Sequence, residues 1–169
     1  QKVEVPVSYQ LNNGIISFKV GKKYNINHTL IIDPVIIFSS LTGSRADNWG
    51  FTATYDNAGN LYASGIVSGN GYPTTTGAYS TVYRGGNNNS MASDIVISKF
   101  NSAGNTLLYS TYLGSTGDEE PHSIIVDRND NLIISGKTTG ANFPVTSGTY
   151  DASYNGGVDL FIAKFNSSG

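Results

Sequence analysis

The sequence contains no cysteine, which excludes a disulfide framework, a thiolate nucleophile and a cysteine-ligated metal. Charged residues make up 13% of the 169 residues, well below the quarter or so that is usual in globular proteins. The formal net charge is −2, so no basic surface is available for the phosphates of a nucleic acid or an anionic membrane. We therefore expect no nucleic-acid partner and no membrane surface partner.

The sequence also lacks a long hydrophobic run. No apolar stretch approaches the roughly 18 residues that cross a bilayer, because the best candidate, residues 30–38, is interrupted by Asp33 and Pro34. No initiator methionine or signal peptide begins the chain, and Ser168 and Gly169 do not look like a natural C-terminus. We expect the chain to be a piece of a longer protein, without a membrane span.

The chain instead has 20 glycines, 11 tyrosines and many Asn, Ser and Thr residues, a composition typical of all-β proteins with many turns. It also contains an internal repeat. Residues 38–65 align without a gap on residues 109–136, and residues 94–101 align on 159–166 after a short insertion in the first copy. The matched pairs include Gly43/Gly114, Asp47/Asp118, Asp56/Asp127, Asn60/Asn131, Gly65/Gly136, Tyr79/Tyr150 and Asp94/Asp159.

Within each copy the apolar residues alternate with period two, which predicts strands rather than helices. The first copy predicts four strands, at 50–55, 61–67, 94–100 and 106–112, and the second predicts three, at 123–126, 132–137 and 159–165. Four short antiparallel strands repeated in tandem are typical of a propeller blade. We therefore predict an all-β fold, a partial β-propeller of about two four-stranded antiparallel blades with an N-terminal β-hairpin segment.

This pattern divides the chain into four parts. Residues 1–34 do not repeat, and the Asn12-Asn13-Gly14 turn signal predicts a hairpin at the end of a separate β-rich domain. Residues 35–48 hold an orphan strand, either the outer strand of an upstream blade or the strand that closes the ring. The first blade is predicted at 49–116 and the second, lacking its fourth strand, at 117–169. A ring of even four blades needs roughly 260 residues, so further blades of the same polypeptide are expected partners.

The run Tyr109–Asp118, followed by Phe143-Pro144, Gly156-Gly157 and Ala163–Asn166, resembles the bacterial seven-bladed β-propeller (SBBP) repeat family over residues 37–169. Residues 5–34 look like the end of the β-rich domain that often precedes such repeats. The resemblance implies an exported protein at the surface of a Gram-negative bacterium of the Bacteroidetes type, often cargo of type IX secretion.

The implied role is non-enzymatic and lies in adhesion, surface motility or scaffolding, with secretion machinery or a surface glycan or protein as partner. The alternative is a glycan-binding or polysaccharide-degrading propeller whose site lies at the axis of the complete ring. A fold alone does not decide between these two roles.

Acidic residues offer two candidate cation sites, each with a structural alternative. Asp118 begins a run of three carboxylates near His122, but a repeated Asp more often caps backbone N–H groups of a turn. The segment 127–131 begins like a calcium loop, yet it lacks the required Gly and Glu, where Leu132 and Thr138 stand. His122 aligns with Phe51 and is expected to pack. We predict no metal, no cofactor and no catalytic residue.

Aromatic side chains in the connections are better candidates for ligand contact. The candidate residues are Trp49, Tyr72, Tyr79 and Asp118. Trp49 aligns with Glu120 and is not repeated, which favours binding. Tyr72 and Tyr79 recur as Phe143 and Tyr150, so the alternative is that they fasten the long connection to its blade.

Overall fold

The computed structural model describes residues 5–21, 24–31, 36–85 and 92–169, which fall into two compact units, Gln1–Ile36 and Ile37–Gly169. All regular structure in these described ranges is β-strand. No helix in the described ranges is long and apolar enough to span a membrane.

The first unit contains the predicted β-hairpin. Strands β1 (Val7–Asn12) and β2 (Ile15–Val20) pair antiparallel, with Val7 opposite Val20. Asn13 and Gly14 form the two-residue turn with φ values of 52° and 78°. Two consecutive positive φ values match the right-handed twist of the strands, which is why Asn-Gly is favoured there.

The second unit contains two antiparallel sheets, blade 1 and blade 2. Blade 1 has the order β3-β4-β5-β6, and blade 2 has the order β7-β8-β9. The bounds are β3 Asn48–Tyr55, β4 Leu61–Val67, β5 Asp94–Phe100, β6 Leu107–Leu113, β7 Glu119–Val126, β8 Leu132–Thr138 and β9 Asp159–Phe165. The predicted all-β class and partial propeller are confirmed.

The orphan strand and loop predicted at 35–48 have no partner strand in the described part of the chain. Val35 lies outside the described residues, and residues 36–41 form no strand, because none of the described strands pairs with them. A strand forms only where a neighbour supplies partners for its N–H and C=O groups. The first strand of blade 2 also begins earlier than predicted, at Glu119 rather than Ser123.

The repeated Asp in each blade organises the turn between the first two strands. In blade 1 the Asp56 carboxylate accepts hydrogen bonds from the N–H groups of Ala58 and Asn60, at 3.0 and 2.9 Å. In blade 2 Asp127 accepts from Asn129 and Asn131, at 2.8 and 3.0 Å. The side chain holds the turn closed in both copies, so the repeat of Asp has a structural cause.

Ser64-Gly65 of β4 and its repeat equivalent, Ser135-Gly136 of β8, each lie opposite a β-bulge in the first strand of the blade. The β3–β4 register shifts between Gly50 and Thr52, and the β7–β8 register shifts between Pro121 and Ser123. A Cβ atom on Gly65 would clash with the main-chain oxygen of Trp49, and one on Gly136 with that of Glu120. Only glycine permits this close approach of the two strands.

The main core lies between the two blades. Tyr62, Ile95, Ile97, Tyr109 and Leu113 of blade 1 pack against Ile124, Leu132, Ile134, Phe161 and Phe165 of blade 2. A second, smaller core covers the other face of blade 1, where Tyr72 of the long β4–β5 connection packs with Val67, Val96 and Tyr112. The part of the β4–β5 connection that carries Tyr72 therefore folds over its blade.

Candidate functional site

The contact between the blades shows which face of a blade its successor covers. On blade 1 this covered face carries Ile95, Ile97 and Lys99, which alternate along β5 and therefore point to one side of the sheet. Ile95 and Ile97 are each 0% exposed because blade 2 packs over them. A successive blade thus removes this whole stripe from water.

The equivalent stripe on blade 2 is open to solvent. The repeat places Leu160, Ile162 and Lys164 of β9 at the positions of Ile95, Ile97 and Lys99. Leu160 is 74% and Ile162 73% exposed, and Ile125, on the same side two strands away, is also exposed. We call the stripe Ile125, Leu160, Ile162 and Lys164 the open face of blade 2.

A lysine and an aspartate form an ion pair at the same place in both blades. Lys99 Nζ lies 3.2 Å from Asp56 Oδ2 with both side chains buried, whereas Lys164 Nζ lies 2.6 Å from Asp127 Oδ2 with the lysine half exposed. Burial tends to raise the pKa of Asp56, but hydrogen bonds from Asn60 and the Lys99 ammonium lower it overall. The open face thus has the polar as well as the apolar groups of a covered face.

Two buried carboxyl groups meet where blade 1 leads into blade 2. Asp94 and Glu119 are both 0% exposed, and a Cβ on Gly114 would lie 2.5 Å from Asp94 Oδ1 and 2.8 Å from Glu119 Oε2. Glu119 accepts hydrogen bonds from Ser115 Oγ and Thr138 Oγ1, at 2.5 and 2.6 Å. The glycine leaves room for both carboxyl groups, and the hydrogen bonds tie the start of β7 to the end of β8.

Asp94 is the less satisfied of the two carboxyl groups. Its Oδ2 accepts from the N–H of Arg84 at 2.6 Å, while Oδ1 is buried without a hydrogen-bond partner in the described part of the chain. Burial raises the pKa of Asp94 to about 7 against the lowering effect of the Arg84 N–H, and the Glu119 charge adds to the rise. The group can therefore hold a proton near neutral pH.

A small pocket lies at the same junction of the blades. It has a volume of about 180 Å³ and is lined by Tyr79, Ser80, Arg84, Gly114, Asn142 and Pro144. Its walls offer an aromatic ring, a guanidinium and an amide, groups that can bind the hydroxyls and ring faces of a sugar.

Of the four residues that the sequence singled out for ligand contact, Tyr79 alone lines this pocket. Its ring is half exposed and lies edge-on to Phe165 of blade 2, with centroids 5.8 Å apart. Trp49 is half exposed in β3, opposite Ile66. The structure therefore does not bring Trp49 and Tyr79 together in the pocket, and their part in ligand contact stays a prediction.

Tyr72 and Asp118 have structural partners instead. Tyr72 is 7% exposed, and its hydroxyl shares a hydrogen bond of 3.0 Å with Ser98. This burial favours the alternative that Tyr72 fastens the connection to the blade, since an outside ligand does not reach its ring. Asp118 is exposed, and its Oδ1 accepts from the Ser93 N–H at 3.1 Å, as a capping Asp does.

The two candidate cation sites look like turns and ion pairs. The Asp127 carboxylate accepts hydrogen bonds from the N–H groups of Asn129 and Asn131 and forms an ion pair with Lys164. Within the ranges that the structure describes, no group of three His, Cys, Asp or Glu side chains could hold a metal. His122 was expected to pack, but its side chain is exposed, because the β-bulge at this position turns the residue outward. Its Nε2 atom lies 3.4 Å from Glu120 Oε1.

The open face and the Asp94–Glu119 pair were not predicted from the sequence. The open face had a signal, since the repeat alignment already equated Leu160 and Ile162 with Ile95 and Ile97. The carboxyl pair had none. Glu119 looked like part of an acidic turn, and its burial depends on Ser115 and Thr138 lying within hydrogen-bond distance.

Comparison with known families agrees with this architecture. Residues 108–144 match the model of the beta-propeller repeat (SBBP), and residues 1–35 match a domain of unknown function (DUF7948). No curated protein matches the chain. The repeat match covers β7, β8 and all but the first residue of β6, so it spans the junction of the two blades. Together with the antiparallel four-stranded and three-stranded sheets, it identifies the chain as an all-β protein that carries a β-propeller repeat and forms part of a propeller.

Proposed function

We propose that this chain is a non-enzymatic propeller repeat module of a larger exported bacterial surface protein, and that its open face packs against a further blade of the same polypeptide. One observation carries the proposal. Ile95 and Ile97 are 0% exposed under blade 2, whereas their equivalents Leu160 and Ile162 are 74% and 73% exposed.

The energetics favour a partner on this face. Full burial of a Leu or Ile side chain contributes about 1.5–3 kcal/mol, so the open face leaves a substantial contribution unused. Its composition matches the covered face closely, with two aliphatic side chains and a lysine–aspartate pair in the same order. A blade that presents residues such as Ile124, Leu132 and Phe161 would complement it.

The role of the whole protein follows from the resemblance to exported propeller proteins. We propose a location outside the cell or at its surface, export by type IX secretion, and a part in adhesion, surface motility or scaffolding. A low charge and a surface rich in Asn, Thr and Tyr suit contact with proteins or polymers outside the cell. The partners would be secretion machinery or a surface glycan or protein.

A labelling experiment tests the packing of the open face. The chain has no cysteine, so Ile162→Cys introduces a single thiol whose reaction rate with a maleimide reports its exposure. We expect fast labelling in this 169-residue chain and strongly slowed labelling in the longer protein that contains it. Ser153→Cys, an exposed position in the β8–β9 connection, serves as the control and should react quickly in both. Equal rates at residue 162 in both proteins would contradict the proposal.

The pocket at Tyr79 favours glycan binding as a second candidate function. Its half-exposed ring next to Arg84 and Asn142 is a suitable surface for a sugar. A glycan array followed by titration calorimetry on the best sugar would test it. Tyr79→Ala should weaken binding at least tenfold, and Tyr55→Ala, an exposed tyrosine outside this pocket, should not. Hydrolysis of the bound glycan would overturn the non-enzymatic assignment.

A further inference from the structure

The pocket between the blades has one charged side chain in its wall, and that charge is positive. Arg84 is the only charged residue among those that line the pocket. It is exposed, and it forms no ion pair with a carboxylate in the described part of the chain. Residues 86–91, which follow closely in sequence, contain no Asp or Glu. A guanidinium without a carboxylate partner can bind an anion from outside the protein.

Asn142 adds hydrogen-bond donors to the same pocket. Its Oδ1 atom accepts hydrogen bonds from the N–H and the hydroxyl of Thr116, at 3.3 and 2.9 Å. A main-chain N–H can only donate, so the amide oxygen faces Thr116 and the Nδ2 group with its two hydrogens points elsewhere. The pocket therefore suits a ligand that is rich in hydrogen-bond acceptors.

Neither of these two donors belongs to the repeat. The alignment places Asn155 at the position of Arg84 and Gly71 at that of Asn142. A side chain that the blade itself requires recurs in both copies, as the turn aspartates do. The architecture of a blade therefore does not account for Arg84 and Asn142.

Two buried carboxyl groups lie behind the pocket wall at Gly114, and both are compensated. Asp94 can hold a proton near neutral pH, because burial raises its pKa to about 7. Glu119 accepts hydrogen bonds from the Ser115 N–H at 2.8 Å and from two hydroxyl groups. The charge that the pocket presents to solvent is therefore that of Arg84.

We infer that this pocket binds a sugar that carries a carboxylate, a hexuronate residue of an acidic glycan, with the carboxylate on Arg84 and Asn142 and the sugar ring on Tyr79. The inference rests on glycan binding as the second candidate function and names its class of ligand. A guanidinium binds a carboxylate through two parallel N–H···O bonds, and the Asn142 amide can donate to the same oxygens. The half-exposed Tyr79 ring offers a surface for the C–H groups of the sugar ring.

The size of the pocket fits one sugar ring. Its volume is about 180 Å³, whereas pockets for drug-sized ligands have roughly 300–1,000 Å³. A single uronate residue therefore enters the pocket, and the rest of the glycan lies outside it. An acidic peptide would bring a carboxylate but no ring for Tyr79, so the aromatic wall favours a sugar.

An NMR titration of the nitrogen-15-labelled 169-residue protein compares uronides with neutral sugars. The probes are the methyl glycosides of glucuronate, galacturonate and mannuronate, and those of glucose, galactose and mannose, which carry CH₂OH in place of the carboxylate. We expect at least one uronide to bind at least tenfold more tightly than its neutral counterpart. Equal affinities within every pair would overturn the inference and leave glycan binding intact. If no uronide binds, the inference fails, and the glycan array decides separately whether the protein binds sugars.

The same titration locates the bound sugar. The side-chain amide signals of Asn142 should shift on binding, and those of Asn131, which donates to Asp127 at the turn of blade 2, should not. Unshifted Asn142 signals would place the uronide elsewhere and overturn the inference.

Arg84→Gln tests the charge, because it removes the positive charge and keeps a hydrogen-bond donor. The affinity for the uronide should fall at least tenfold, to that of the neutral glycoside, and the affinity for the neutral glycoside should change little. Arg45→Gln is the matched control, since it removes the same charge from an exposed arginine outside the pocket. An equal loss in the two variants would mean that the net charge of the protein attracts the uronide, which overturns the inference.

Asn142→Asp tests the amide donors. The variant keeps an oxygen for the Thr116 N–H, but it replaces the Nδ2 group with an acceptor and adds a negative charge. The uronide should no longer bind measurably. Undiminished binding would show that the carboxylate does not lie on Asn142, which contradicts the inference.

N-acetylaspartate amide separates the carboxylate from the sugar. It has the charge but no ring, so we expect it to bind at least tenfold more weakly than the best uronide. Tyr79→Ala should remove this difference, because the aromatic surface for the ring is gone. Equal binding of the two ligands to the unchanged protein would mean a carboxylate site without preference for sugars, and the inference would be wrong.

Discussion

Lys99 Nζ lies 3.2 Å from Asp56 Oδ2 within the contact between the two blades, and 4.8 Å from the centroid of the Tyr62 ring. The aspartate also closes the β3–β4 turn, so one carboxylate serves both the turn and the ion pair. The Tyr62 hydroxyl donates a hydrogen bond of 3.5 Å to the main-chain oxygen of Asp130 in blade 2. Tyr62 thus links the ion pair at the turn of one blade to the turn of the next.

Removal of the Lys99 charge should destabilise the protein. Lys99→Met leaves the Asp56 carboxylate buried without its cation, and breaking a buried pair in this way costs about 3 kcal/mol or more. Urea denaturation followed by tryptophan fluorescence would measure the loss. Lys164→Met is the matched control, because the same pair in blade 2 is exposed to water and should contribute far less. Equal losses in the two variants would show that burial between the blades is not the cause.

The β-bulge in the first strand of each blade should require glycine at the facing position of the second strand. Gly65→Ala places a methyl group against the Trp49 carbonyl, and relief of such a clash by shifts of the backbone costs about 1–3 kcal/mol. Gly50→Ala lies in the same pair of strands with open space around its Cβ position and should change stability little. Urea denaturation midpoints of the two variants test this, and a stable Gly65→Ala protein would contradict the bulge geometry.

The buried Asp94 carboxyl should make stability depend on pH. Its pKa is about 7 in the folded protein against an ordinary value of 3.8, so the folded state binds the proton more tightly. The resulting stabilisation is complete below pH 3.8 and is lost as the pH rises through 7, by an amount on the order of a few kcal/mol. The groups that face Asp94 are Arg84, Tyr83 and Glu119.

Asp94→Asn provides the check on that pH dependence. The neutral amide keeps the shape of the side chain and cannot ionise, so the free energy of unfolding should fall less between about pH 4 and 7 than in the unchanged protein. Asp159→Asn, the repeat equivalent in blade 2 with a less buried carboxyl, serves as the matched control. An unaltered slope in Asp94→Asn would assign the dependence to another group.

The strands were predicted well where the alternation of apolar residues and the repeat alignment indicated the same residues. The bounds of β4, β5 and β9 coincide with the predicted ones, and the Asn13-Gly14 turn lies where the sequence placed it. The start of β7 was missed, because the carboxylates of 118–120 and Pro121 resemble a loop. Pairing with β8 and the hydrogen bonds around Glu119 extend the strand through them.

The candidate site was less predictable, because exposure is a property of neighbours. Tyr72 and Tyr79 are both loop tyrosines with a repeated counterpart, yet one is buried against Val96 and the other lines a pocket. Trp49 was singled out for being unrepeated, and only the fold shows that it lies in β3 away from that pocket.

The period of the repeat, the strands and the turns follow from the sequence, because the alternation of apolar residues and the chemistry of turns are local properties of the chain. The repeat alignment also equated the residues of one blade with those of the other. Which of those equivalent residues are covered is visible only in the folded chain, since Ile97 and Ile162 differ in whether a blade packs over them. Burial requires a second surface, and no local pattern records whether that surface is present.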